Sequence, residues 1–145
     1  MSGDSDLIKL YSTRILALAA DIPHLTRLAS PDGTARRRAP LCGSTVTVDL
    51  KLSDGVINAF GQDVKACALG QASASVFGTV SIGLDQATVA RGRAELLAML
   101  SQNAPPPGAP FEGMHVLEPA REFKNRHASI LLVFDATLEA FAQAK

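Results

Sequence analysis

The stretch Ser44–Gly55, STVTVDLKLSDG, decides the architecture. Val46, Val48, Leu50 and Leu52 alternate with Thr45, Thr47, Asp49 and Lys51, the period-two pattern of a strand with one buried face. Ser53-Asp54-Gly55 then supplies residues that tolerate the positive φ of a tight reversal. Val56–Val64, VINAFGQDV, follows as the returning strand with weaker alternation. The expectation is an antiparallel pair with one wet face.

Beyond the second strand the pattern turns helical. Cys67–Gly83, CALGQASASVFGTVSIG, is rich in small residues and reads as a helix lying very close to the sheet. Gly70 and Gly78 oppose this, each by roughly 1 kcal/mol relative to alanine. Asp85 N-caps a further helix carrying Val89, Leu96, Leu97 and Leu100. Asn103–Gly113, NAPPPGAPFEG, is too proline-rich for a helix and reads as a stiff connector, followed by a short helical stretch at Met114–Leu117. The last helix runs from His127 to Gln143, with Ile130, Leu131, Phe134, Leu138 and Phe141 as its apolar stripe.

On the N-terminal side, Asp4 and Asp6 are candidate caps, and Leu7, Ile8, Tyr11, Ile15 and Leu18 recur at helical spacing. They predict a helix over about residues 5–20, stopped before Pro23. Pro23–Pro40 has no clean period and reads as a loop. Helix, strands and then helices define an α+β sandwich, a small antiparallel β-sheet with helices packed on one face. One domain over residues 1–145 is expected, without an internal repeat.

Composition narrows the function. The chain is 47% hydrophobic and 19% charged, enough apolar side chain for a core and unlike a disordered chain. Lysine plus arginine and aspartate plus glutamate balance at 14 each, so no basic excess points to nucleic acid. Arg36-Arg37-Arg38 is the one local charge cluster, and it reads first as a solvated loop. No apolar run approaches the ~18 residues of a membrane span, and the N-terminus reads as neither signal nor transit peptide. A cytoplasmic protein is expected, where thiols stay reduced.

Chemistry then rests on few residues. Cys42 precedes the first strand, Cys67 stands where strand gives way to helix, and His127 opens the last helix. Ends of elements on one rim of a layered domain converge more readily than residues in mid-element. A helix N-terminus favours a thiolate at Cys67 and a neutral, ligand-competent ring at His127. Gly43 lets the backbone approach whatever the Cys42 sulfur holds. Against this, a lone cysteine beside apolar strands is most often a small buried hydrophobe, and a histidine heading a buried stripe is most often a hydrogen-bonded structural residue. Two cysteines and a histidine would leave zinc one open position, whereas an iron–sulfur cluster usually takes four protein ligands. A Cys67–His127 nucleophile–base pair is the enzyme alternative, but no nucleophile elbow, phosphate loop or dinucleotide fingerprint supports it, and the chain does not read as an enzyme. His24 and His115 read as surface or loop residues.

The order of these features resembles the U-type iron–sulfur cluster assembly scaffold family, the NifU N-terminal-like, IscU-like and SufU-like proteins. The likeness covers about residues 7–143. LYSTRILALAADIPHLTRL is similar to the family's opening helix and asparagine-proline turn, with Asp21-Ile-Pro-His in the turn region. APLCGSTVTVDLKL resembles the Asn-Pro-x-Cys-Gly-Asp segment, and FGQDVKACALGQASAS the strand that ends near a cysteine before an Ala/Ser-rich helix. REFKNRHASILLVFDATLEAF is similar to the segment in which a cysteine opens the final helix.

The resemblance implies a SufE/NifU-like sandwich and a scaffold. Such a protein accepts sulfur from a cysteine desulfurase, assembles an iron–sulfur cluster (a [2Fe-2S] cluster is expected) or holds iron, and hands its cargo to apo iron–sulfur proteins. Zinc at the same site is the alternative. By this likeness Cys42 and Cys67 fall on the first two ligand cysteines, Ser44 on the family's aspartate and His127 on the third cysteine. Arg126 falls where many members carry histidine; it cannot ligate, but it can pair with a thiolate or sulfide. Two of the four positions depart from the pattern. A protonated serine hydroxyl is a poor ligand, whereas an imidazole keeps a donor in place.

Overall fold

The structure is a computed structural model and describes residues 12–41 and 43–144. Element order is α1 (Thr13–Ala20), β1 (Gly33–Arg38), β2 (Thr45–Ser53), β3 (Val56–Lys65), α2 (Ala68–Val80), α3 (Gln86–Gln102), a 3₁₀ segment (Glu112–Glu122), a single 3₁₀ turn (Lys124–Arg126) and α4 (His127–Gln143). The fold is α+β, with a three-stranded antiparallel sheet of order β1-β2-β3.

The β2–β3 hairpin forms where the alternation places it. Asp54 and Gly55 take φ of 53° and 78°, the two left-handed residues of a reversal whose twist matches the strands. Its buried face carries Val46, Val48 and Leu50 opposite Val64, Gln62 and Phe60. α4 lies against β1 and β2, and α2 packs on both α1 and α4. Phe77 of α2 sits at the centre of an aromatic cluster, with ring centroids 5.6, 5.8 and 4.9 Å from Phe60, Phe111 and Phe134. Gly70 and Gly78 in α2 are contact points. A Cβ at Gly70 would press on the Ser129 hydroxyl at 2.6 Å, and one at Gly78 would lie 3.0 Å from the Pro23 carbonyl. The small residues do mark a close approach, but its partners are α4 and the Pro23 loop, with the Gln62 side chain as the one sheet contact at these glycines, and not the body of the sheet that the sequence predicted.

Three expectations change. Pro23–Pro40 is not all loop, because Gly33–Arg38 forms the edge strand β1. Its inward positions are Gly33, Ala35 and Arg37, opposite Leu50, Val48 and Val46, so it carries no run of large apolar side chains. The outer sheet face is not uniformly wet: Asp49 is fully buried there beneath Arg27 and Leu28. The helical stretch after the prolines is longer than Met114–Leu117 and is a 3₁₀ segment over Glu112–Glu122. For the first helix, Thr13–Ala20 with Ser12 as N-cap is described; its expected earlier turns, with Leu7, Ile8 and Tyr11, lie outside the described residues.

Candidate functional site

The site forms at the end of the sheet where β2 begins and β3 ends, at the pair Thr45–Lys65. Just before β2, the Ala39 N–H donates to the Ser44 carbonyl at 2.8 Å and the Gly43 N–H to the Ala39 carbonyl at 2.9 Å. These bonds close a tight turn in which Gly43 takes φ +72°. Cys42 lies outside the described residues. Just after β3, Cys67 is the N-cap of α2, in extended backbone conformation, half-buried and with a free thiol.

Two serines meet Cys67. Its backbone N–H donates to Ser44 Oγ at 3.4 Å, its Sγ lies 3.4 Å from Ser129 Oγ, and the Ser129 hydroxyl donates to Ser44 Oγ at 2.9 Å. Ser44 and Ser129 are both buried, at 3% and 1% exposure, while Cys67 is only half-buried. Two cations, Arg38 and Lys65, flank Thr45 at this end of the sheet, and the exposed Asp63 and Arg36 flank Thr47. Arg36, Arg38 and Lys65 are exposed, and the Arg38 guanidinium is the nearest group over Gly43. The arginine run thus lies on an edge strand beside the site, with Arg37 held by Glu139 at 3.0 Å.

His127 opens α4 as expected, half-buried, with Nε2 2.9 Å from the Ala120 carbonyl. It borders a ≈ 430 Å³ cavity with Asn103, Arg121 and Lys124. Residues two apart on an α-helix point about 200° apart, so the side of α4 that meets Cys67 is the side of Ser129. Arg126, at the end of the preceding 3₁₀ turn, is also half-buried. Ser129 is the residue that sequence reasoning missed. Its signal was a hydroxyl one turn before Val133, inside a stripe otherwise built for burial. His115 is exposed and borders a ≈ 520 Å³ groove beside α1.

The described residues thus form an α+β sandwich with a cysteine at the sheet end, at the N-cap of an Ala/Ser-rich helix. No family model matches the chain, and no curated protein does. Among solved structures, it is similar to the N-terminal part of a nitrogen-fixing NifU-like protein from Brucella abortus, at 43% identity over 96% of both chains, with a TM-score of 0.92. It also shares its fold with an iron–sulfur cluster assembly scaffold assigned to the SUF system of the thermophile Fervidobacterium islandicum AW-1. That match has 16% identity over 92% of this chain and 98% of the other, with a TM-score of 0.83. The chain belongs to the U-type scaffold family as a NifU N-terminal-like member. No described helix is long and apolar enough to cross a membrane.

Proposed function

We propose that this protein is an iron–sulfur cluster assembly scaffold or carrier in the cytoplasm, not an enzyme, and that residues 1–145 work as one domain. Cys42 and Cys67 supply the thiolates that hold iron and sulfide, most simply as a [2Fe-2S] cluster. The observation that carries the reading is Cys67: a half-buried thiol at the sheet end, the N-cap of a close-packed helix, in a NifU-like chain. His127 is the third donor in this proposal. Its Nε2 engages the Ala120 carbonyl, so Nδ1 or a turned ring must serve the metal. Sulfur comes from a cysteine desulfurase and the cargo passes to apo iron–sulfur proteins. The exposed Arg36, Arg38 and Lys65 favour sulfide and the anionic cluster near the rim.

A second reading has one observation behind it. With a serine at position 44 and the His127 ring bonded within its own chain segment, the donor set is weaker than four ligands. The protein then holds zinc, or binds a desulfurase or target, without assembling a cluster. Elemental analysis of anaerobically purified protein separates the two. Iron with acid-labile sulfide, lost in Cys67→Ala and Cys42→Ala and reduced in His127→Ala, supports the scaffold. Zinc without sulfide supports the second reading, and metal content indifferent to Cys67→Ala contradicts both metal-binding forms.

A further inference from the structure

Cys67 is backed by a buried pair of hydroxyls whose polarity depends on what the sulfur holds. Each serine hydroxyl has one proton to give and two lone pairs to receive. In the structure the Ser129 hydroxyl spends its proton on Ser44 Oγ at 2.9 Å, so at 3.4 Å from Ser129 Oγ the Cys67 thiol is the donor. A sulfur that holds iron has no proton and can only accept. The Ser129 hydroxyl then turns to the sulfur, and Ser44 Oγ, 2.9 Å away, is within reach to donate to Ser129 in its place. Both groups are shielded from water, so no solvent molecule substitutes for the reversal. Ser129 is also held in position: Gly70 leaves just enough room for its Oγ between α2 and α4.

We propose that Ser129 is a positioning residue that donates a hydrogen bond to the Cys67 sulfur in the loaded protein, with Ser44 as its relay partner. The inference rests on the reading of Cys67 as a cluster ligand. A hydrogen bond to a coordinating sulfur stabilises the more negative, reduced cluster and withdraws electron density from the sulfur. It therefore raises the reduction potential and moves sulfur-to-iron charge-transfer absorption to shorter wavelength.

The test reconstitutes wild type, Ser129→Ala and Ser44→Ala anaerobically with ferrous iron and sulfide, then measures midpoint potential and visible absorption. Ser129→Ala is expected to load to the same stoichiometry, with a more negative potential and charge-transfer bands at longer wavelength. Ser44→Ala leaves Ser129 bonded to the sulfur but removes the Ser44 donor that polarises its hydroxyl, so its shifts have the same sign and are smaller. A general packing defect would not order the two variants in this way. An unshifted Ser129→Ala, or equal shifts in the two variants, overturns the hydrogen bond while leaving the scaffold reading intact. A wild-type protein that takes up no cluster overturns both. Should Ser129→Ala fail to fold, Ser44→Ala decides: a lowered potential supports the relay, and an unchanged one overturns it.

Discussion

Asp49 shows how one residue fastens a loop to the sheet. Its carboxylate is fully buried, yet it accepts from Arg27 Nε at 2.7 Å, the Leu28 N–H at 3.0 Å and the Thr34 hydroxyl at 2.8 Å. Burial pushes its pKa up, but the bonds from Arg27, Thr34 and the Leu28 amide outweigh burial and hold it below the usual carboxylate value. Asp49→Asn should cost about 2 kcal/mol at neutral pH, as expected for hydrogen bonds to a charged group, measured by urea unfolding. A lowered folded pKa stabilises above the unfolded value of about 3.9 and is lost as pH falls through the folded value. The gap between wild type and Asp49→Asn should therefore narrow below about pH 4. A gap that widens in acid would contradict this. In the sequence Asp49 was only the polar phase of an alternation, because nothing local announced that Arg27, twenty-two positions earlier, would cover it. Cys67 was legible for the opposite reason: the change from strand to small-residue helix fell on it. Ser129 was hidden because its partners lie 62 and 85 positions away.

Among the elements, β1 and α4 depend on a close crossing. A Cβ on Gly33 would run into the Ala140 carbonyl, a backbone atom that cannot swing aside. Gly33→Ala should cost roughly 1–3 kcal/mol, the range for overpacking, and loosen the β1 edge in hydrogen exchange. Stability within about 0.5 kcal/mol of wild type would show that β1 does not lie under α4. The same crossing explains why β1 was invisible in the sequence. A strand under a near helix presents glycine and alanine inward, and those residues carry no hydrophobic period. Elements with large side chains were legible: the β2–β3 alternation, the Asp85 cap that accepts the Thr88 N–H at 2.8 Å, and α4 from His127 to Gln143. The 3₁₀ segment was only partly legible, since Pro119 excludes a regular α-helix there without indicating what replaces it.

For the whole molecule, one core joins sheet and helices through Phe60, Phe77, Phe111 and Phe134. Gly92 admits the Phe111 ring, so α3 and the proline connector share that core. Urea unfolding should be a single transition by far-UV circular dichroism and by hydrogen exchange. Phe77→Ala should lower stability by about 3–5 kcal/mol. Two separated transitions would mean that the sheet and the helical layer unfold independently. On this frame the chain places a cysteine, two buried hydroxyls and the exposed Arg38 and Lys65 at one end of a sheet. The central claim is that Cys67 holds a cluster there. Anaerobic reconstitution with ferrous iron and sulfide, followed by visible absorption of wild type and Cys67→Ala, tests it most directly. The account predicts sulfur-to-iron charge-transfer bands in wild type and their loss in a folded Cys67→Ala. Bands absent from wild type, or undiminished in Cys67→Ala, would contradict it.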